Sequence, residues 1–398
     1  MRLLVLTAAY PSPAEPQRAV FIEDLNRALL DVGGDRFEID VVAPRVHRQD
    51  PLVEERHGVR VHRFRYPSGG RRLKEIPRPS WGLLGAYFAS GLLRALTVGS
   101  RRRCQLVVGH WVLPTGVIAS AAARVLRLPA VLYAHGSDLN DYGRRRSGRW
   151  LTSWSVARAS KVLAVSRELA RILRDEHGAG RHQVEVLPMG VAPVFGTPVF
   201  EGNGRLAARR SLGLGDFLEL LFVGDLIVEK GLRDLLAALR ILWRDGVRAR
   251  LHVAGDGPLS RELRGAPDGS LPAEALHLLG RVSPEELARW YRGVDLYVHP
   301  SHAEGTPLAV MEALASALPV VATEVGGVPD LVHDGFTGCL VSPRDPSALA
   351  SKIRELDAER ERLEGMRRSL EESVGCHRVE ERARLLHPLL VEAAGGGV

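Results

Sequence analysis

Short apolar runs rich in β-branched residues recur along this chain, and most are separated by stretches long enough for one helix. Residues 3–6, 39–42, 59–62, 106–108, 130–133, 162–165 and 184–187 make a first series. Between them, 21–30, 117–126 and 167–176 carry apolar residues at three- and four-residue steps, the helical period. That alternation predicts a parallel sheet covered by helices. A Gly/Pro-rich passage from Pro188 through Gly190-Val191-Ala192-Pro193 to Gly204 interrupts the pattern and reads as a linker. A second series then runs through 219–223, 250–254, 276–279, 296–299, 320–323 and 338–341. Its clearest helix, 232–243, places Leu232, Leu235, Leu236, Leu239 and Leu242 on one stripe. The expected fold class is therefore α/β, as two doubly wound domains of nearly equal size. The expected boundaries are 1–192, a linker region 193–216, a second domain 217–375, and a C-terminal helix in 376–398 that packs back toward the first domain. In such sheets ligands bind outside the carboxyl ends of the strands.

Composition narrows the class. Hydrophobic residues at 45% and charged residues at 25% are globular values, which excludes a disordered or fibrous chain. Residues 1–195 hold 30 basic and 17 acidic side chains, whereas the remainder holds 24 and 30. A net +13 half joined to a net −6 half argues against coating nucleic acid and for one anionic partner on one side. Cys104, Cys339 and Cys376 are far apart and give neither a disulfide framework nor a zinc spacing, which fits a reducing, cytoplasmic setting. The N-terminal run is too short for a signal peptide and reads as a first strand. The stretch 80–100 is membrane-like but contains Arg94 and four glycines, so a helix packed on its domain or lying in a membrane interface is expected.

Several chemistries are excluded by their motifs. There is no Gly-Lys-Ser/Thr, Gly-x-Ser-x-Gly or His-Glu-x-x-His. Gly255-Asp256-Gly257-Pro258-Leu259-Ser260 is a poor dinucleotide fingerprint, because its third glycine is serine and Pro258 removes an amide. With no Asp-x-Asp to chelate a metal-nucleotide, a reaction without metal or cofactor is expected. The richest segment is His299-Pro300-Ser301-His302-Ala303-Glu304-Gly305-Thr306-Pro307-Leu308-Ala309-Val310-Met311-Glu312. Thr306 suits a helix N-cap and Pro307 the first helical position, so amides around Gly305, Thr306, Pro307 and Leu308 are expected at a positive helix end that seats a phosphate. Glu312 is placed to accept hydrogen bonds from a vicinal diol such as a ribose, and Glu304 to do the same for sugar hydroxyls.

Glu304 and Glu312 form an E-x7-E element, and the stretch 296–346 resembles the retaining glycosyltransferases of family 4. Ala317-Leu318-Pro319-Val320-Val321-Ala322-Thr323-Glu324-Val325-Gly326-Gly327-Val328-Pro329-Asp330 and Asp334-Gly335-Phe336-Thr337-Gly338 resemble the same family. Phe222-Val223-Gly224-Asp225-Leu226-Ile227-Val228-Glu229-Lys230-Gly231 is similar to its phosphate-clamp loop, with Asp225 where many members carry arginine. Gly280-Arg281-Val282-Ser283 matches its base-facing loop, and Tyr133-Ala134-His135-Gly136-Ser137-Asp138 its H-G-x-D segment. His110-Trp111-Val112-Leu113-Pro114-Thr115-Gly116 fits a stretch that accompanies it, and the loop from Tyr10 resembles the N-terminal loop, with Ala19 at the usual glycine.

The resemblance implies a GT-B architecture, two facing Rossmann-like domains with parallel sheets and a central cleft. It implies a nucleotide-diphospho-sugar donor held by the second domain and an acceptor held by the first, with front-face substitution. Gly224, Lys230, Arg281, Val282, Glu304, Gly305, Thr306, Pro307, Leu308 and Glu312 would bind the donor. His135, Glu304 and Lys230 would be catalytic, while Asp138 would orient His135 or, with Ala19, meet the acceptor. Arg63, Arg65, Arg71, Arg72, Lys74, Arg78 and Arg101–Arg103 bracket Trp81, Tyr87 and Phe88, a pattern suited to an anionic membrane surface with aromatic anchors. The expected function is retaining transfer to a saccharide, lipid-linked or small-molecule acceptor in cell-envelope polysaccharide or glycoconjugate synthesis, peripheral to the inner face of the membrane. A nucleotide-sugar epimerase or phosphorylase of the same fold, or a noncatalytic sugar- or polyanion-binding protein, stays open at this level.

Overall fold

The computed structural model describes residues 1–76, 78–139, 146–196, 204–266, 271–373 and 377–395. They form two compact units, Met1–Gly190 together with Val379–Val398, and Val191–Arg378.

In the first unit β1 (Arg2–Leu6), β2 (Glu38–Pro44), β3 (Val53–Arg56), β4 (Val59–Phe64), β5 (Leu106–His110), β6 (Ala130–Ala134), β7 (Lys161–Ala164) and β8 (Val184–Val186) build one sheet. The order is β3-β4-β2-β1-β5-β6-β7-β8, parallel except for the antiparallel β3–β4 pair. β3 escaped the periodicity reading because Val-Glu-Glu-Arg has only one apolar side chain. It is held instead by pairing with β4, where Glu55 faces Arg60. The helices of this part are α1 (Val20–Gly33), α2 (Trp81–Arg102), α3 (Val117–Leu126), α4 (Arg146–Val156) and α5 (Arg167–Asp175).

α2 is the membrane-like stretch. Ser80 caps it by accepting from the Leu83 amide at 3.2 Å. Its most apolar 18-residue window has a mean hydropathy of 1.2, long and apolar enough to cross a bilayer, with 28% of that window buried in the protein. One face, with Tyr87, Gly91, Ala95 and Val98, packs on β1, β2, β4 and α3. Tyr87 meets Phe64 and Tyr66 edge-on at 5.1 Å each, so it is a core residue and not the interfacial anchor expected of it. Trp81 is 85% exposed and faces outward.

The second unit holds β9 (Leu218–Val223), β10 (Ala249–Ala254), β11 (Leu276–Gly280), β12 (Leu296–His299), β13 (Val320–Thr323) and β14 (Gly338–Val341). All its strand pairs are parallel, in the order β11-β10-β9-β12-β13-β14. The helices are α6 (Gly204–Ser211), α7 (Leu232–Arg244), α8 (Ser260–Arg264), α9 (Pro284–Gly293), α10 (Leu308–Ala315), α11 (Pro346–Ala358) and α12 (Arg360–Ser373). The leucine stripe of α7 is buried as its period requires. Strand order reverses between β1 and β5 in the first unit and between β9 and β12 in the second, the switch points where doubly wound sheets open a ligand crevice.

Within 193–216, α6 packs on α9 inside the second unit, with Arg209 donating to the Gly293 carbonyl at 3.0 Å; residues 197–203 lie outside the described residues. Cys104 and Cys339 are buried free thiols, and Cys376 lies outside the described residues. The last helix, α13 (Val379–Ala393), packs on α1 in the first unit and buries Val379, Ala383, Leu386 and Leu390. The His387 ring lies 4.8 Å from that of Phe37. Leu390→Ala is expected to destabilise the first unit by about 2–5 kcal/mol, read as a lower urea midpoint, because a fully buried Leu leaves a cavity.

Candidate functional site

Each unit carries a constellation at the carboxyl ends of its strands. In the second unit the loops after β9 and β12 cross-brace each other. Gly231, at φ +68, lies so close to Pro300 that a Cβ there would sit 1.9 Å from the Pro300 carbonyl oxygen. Only glycine permits both this backbone and this approach. The Glu229 carbonyl accepts from the His302 amide at 2.8 Å, and the His302 ring bonds Asp234 at 2.8 Å. These ties bring Lys230 Nζ to 2.6 Å from Glu304 Oε1.

The same Glu304 oxygen accepts from His299 Nε2 at 2.8 Å and from Ser301 Oγ at 2.7 Å. Burial pushes the Glu304 carboxyl up, but the His299 and Lys230 contacts outweigh it and hold the group well below the usual carboxylate range. Glu304 is thus a carboxylate, and His299 Nε2 carries a proton toward it. On the far side of the loop the backbone after β13 closes in. Gly326, at φ +57, would place a Cβ 2.1 Å from the Glu304 carbonyl oxygen, and the Gly327 amide donates to the Gly305 carbonyl at 2.7 Å.

α10 begins at Leu308 with Pro307 at the cap position and no side-chain cap bond, one residue later than expected, so Thr306 is not its N-cap. The Val310 and Met311 amides turn back to the Pro307 carbonyl. Glu312, on the first turns of α10, does not join Lys230. It accepts from the Tyr291 hydroxyl at 3.0 Å, and burial pushes its carboxyl up to about 7 against that bond. Gly224 and the Gly280 turn are linked through β10: the Gly224 amide reaches Ala254 O, and Gly255 N reaches Gly280 O at 2.7 Å. Arg281 points outward, 79% exposed, with its Nε 3.8 Å from Asp256; Val282 is half-buried.

In the first unit His135 follows β6, half-buried, with its Nε2 3.0 Å from His110 Nδ1 at the end of β5. The Trp111, Tyr133 and Phe21 rings surround it at 4.8, 5.1 and 5.6 Å. Burial keeps both imidazoles neutral, His110 pushed down to about 3 and His135 well below its ordinary value. Asp138 is buried and spends both oxygens on backbone. Oδ1 accepts from the His135 and Gly136 amides at 3.2 and 2.8 Å, and Oδ2 from Val112 N at 2.7 Å. It thereby ties the His135 turn to the segment after β5. Ala19 caps α1 in the left-handed region at φ +53, a conformation that costs an alanine roughly 1–2 kcal/mol.

Residues 218–358 match the family model described as glycosyl transferases group 1, and 19–190 match the glycosyl transferase 4-like domain. The chain belongs to the group 1 glycosyltransferases. It is 32% identical over 367 residues to a D-inositol 3-phosphate glycosyltransferase of Geodermatophilus obscurus, covering 86% of this chain and 78% of that one. It is 30% identical over 378 residues, 90% of each chain, to a Bacillus subtilis protein named as a teichuronic acid biosynthesis glycosyltransferase. Among solved structures, sucrose-phosphate synthase from Thermosynechococcus elongatus aligns at TM-score 0.80 and 21% identity over the whole of both chains. Anabaena HepE in complex with UDP-glucose aligns at 0.75 and 18% over 98% of this chain and 100% of that one. The fold of this glycosyltransferase is GT-B, with two parallel-sheet α/β domains.

Sequence reasoning missed the roles of His299, Ser301, Tyr291, Asp234 and His110 in this glycosyltransferase. His299 and Ser301 lie inside the quoted motif, so a polar side chain ending a buried strand was the available signal. Tyr291 and Asp234 come from other elements and nothing local marks them, whereas His110 opens a quoted stretch whose pattern does not name His135 as its partner. Gly326→Ala is expected to cost about 1–3 kcal/mol of stability and at least tenfold in glycosyl transfer. Unchanged turnover in a purified, folded variant would show that the Glu304 loop does not need this approach.

Proposed function

We propose that this glycosyltransferase moves a glycosyl group from a nucleotide-diphospho-sugar, with retained anomeric configuration and without a metal ion, to a saccharide, lipid-linked or small-molecule acceptor. The observation that carries the reading is the Lys230–Glu304 pair at the switch point of the second sheet. Departure of a diphosphate from a sugar develops negative charge, and a cation fixed at that point stabilises the transition state more than the ground state. Lys230 supplies that cation, aided by the Gly305–Leu308 backbone. Glu312 accepts from the ribose diol, Glu304 from sugar hydroxyls, and the Gly280–Val282 turn meets the base through backbone. In the first unit, neutral His135, on the turn held by Asp138 and packed among aromatic rings, is the catalytic group of the acceptor domain.

The relatives' names support an acceptor class of polyhydroxylated, charge-bearing molecules in cell-envelope or glycoconjugate synthesis, and the HepE complexes support a nucleotide sugar as donor. The first unit lies peripherally on the inner face of the membrane. The outward face of α2, with Trp81 and Leu93 85% and 67% exposed, is flanked by the exposed Arg65, Arg71, Lys74, Arg78, Arg101 and Arg103. Arg63, Arg72 and Arg102 drop out of that patch, because they pair with Glu54, Glu75, Glu38 and Asp40 of the same unit. Exposed tryptophan ringed by arginine fits an anionic lipid surface.

Lys230→Ala is expected to lower kcat/KM by about 10²–10³ with activity unaffected by EDTA, and proton NMR of early product to show the donor's anomeric configuration. Because the free enzyme holds a proton on Glu312 up to about pH 7, donor affinity should rise by up to tenfold per unit as pH climbs toward 7 and then level off. Glu312→Gln should flatten that profile. The wild type should cosediment with vesicles containing anionic phosphatidylglycerol, and Trp81→Glu should shift it to the supernatant. Equal recovery with neutral vesicles would remove the membrane reading.

A further inference from the structure

Three donors converge on Glu304 Oε1, yet they are not equivalent. Lys230 reaches across from another loop and is one-quarter exposed, whereas His299 and Ser301 are buried and belong to the strand end and loop that carry Glu304 itself. We infer that His299 and Ser301 are positioning residues that keep Glu304 ionised and in place while Lys230 exchanges that carboxylate for the diphosphate of the donor. The inference rests on the nucleotide-diphospho-sugar reading above.

In the free enzyme the ammonium of Lys230 is engaged by Glu304 at 2.6 Å. A diphosphate arriving at the strand ends draws the ammonium away, since it offers more charge than one carboxylate. A buried carboxylate that loses its cation takes up a proton unless other donors remain. Here two remain. The His299 ring cannot swing out, because its Nδ1 lies 3.1 Å from the Tyr297 hydroxyl, which is 3.3 Å from the Val223 carbonyl. Ser301 is pinned by Thr323, which donates to its carbonyl at 2.5 Å.

Among the described residues, the titratable groups facing Glu304 are Lys230 from the loop after β9 and His299 and Tyr297 on β12. The loop after β13 brings only the backbone of Gly326 and Gly327. The exchange therefore moves the ammonium from one anion to another while Glu304 stays charged and keeps its acceptor oxygens for the sugar.

The test counts protons. A sugar nucleotide that raises the melting temperature is chosen from UDP-, GDP- and ADP-glucose, whose diphosphate diesters do not titrate near neutrality. Its binding is measured calorimetrically at pH 6.5 in PIPES and in imidazole, so that the difference in apparent enthalpy gives the protons exchanged. His299→Leu should take up as much as one proton more per donor bound than the wild type. Its affinity relative to the wild type should fall by up to tenfold per unit between pH 6 and 8. His299→Gln, whose amide still donates, should match the wild type, and Ser301→Ala should shift in the same direction as His299→Leu, so the result does not hang on one variant folding. No added uptake in His299→Leu and Ser301→Ala, or equal uptake in His299→Gln, overturns the inference while leaving the donor reading intact. Failure of all three sugar nucleotides to bind the wild type overturns the donor reading and this inference with it.

Discussion

One carboxylate oxygen organises the second unit. Glu304 Oε1 collects an ammonium, an imidazole N–H and a hydroxyl, and a buried acceptor so served stays charged where burial alone would neutralise it. Everything around it serves to let these donors meet. The loops after β9, β12 and β13 must approach to backbone contact distance, which is why glycine stands at 231 and 326, facing Pro300 and Glu304. A side chain at either place would drive the loops apart and dissolve the convergence. The parallel sheet contributes the other half of the constraint, because strands reversing order at β9 and β12 leave their carboxyl ends open to a ligand.

The first unit solves a related problem with neutral groups. His110 and His135 are bonded to each other inside an aromatic enclosure, and the cost of charging either in that setting holds both as free imidazoles. Their geometry depends on Asp138, whose two oxygens gather the amides of Val112, His135 and Gly136 and so tie the turn after β6 to the segment after β5. The charged carboxylate therefore acts on the backbone, one step removed from the ring it orients. The two units use opposite electrostatics: a compensated charge cluster in the second, where a diphosphate is proposed to bind, and a desolvated neutral pair in the first, where an acceptor is proposed to bind.

Much of this was legible in the chain. Most strands of the parallel sheets are buried on both faces, so they read as apolar runs, and among the described residues thirteen of the fourteen strands coincide with runs visible in the sequence. The exception, β3, is an edge strand whose charged residues are stabilised by a partner and not by burial. Lys230, His135 and Asp138 were legible through the family resemblance of the segments that carry them, and Glu304 and Glu312 also through the loop-to-helix pattern around them. Tyr291 and Asp234 were not, since each reaches the site from an element distant in sequence, and the stretch that holds His110 did not show its bond to His135.

The opposite net charges of the two halves also change meaning in three dimensions. Several arginines of the basic half are consumed by internal pairs, as Arg63 is by Glu54 and Arg102 by Asp40, so the outward patch is smaller than the count implied. By itself the sequence determined the alternation of strands and helices, the two sheets and the identity of the motif residues, because period and burial are local consequences of residue type. Only the tertiary structure decided that Lys230 rests on Glu304, that His299 stands behind it and that Asp138 is spent on amides. Those outcomes depend on which loops are brought within hydrogen-bond distance, and that is set by strand order and by the glycines that let backbones touch.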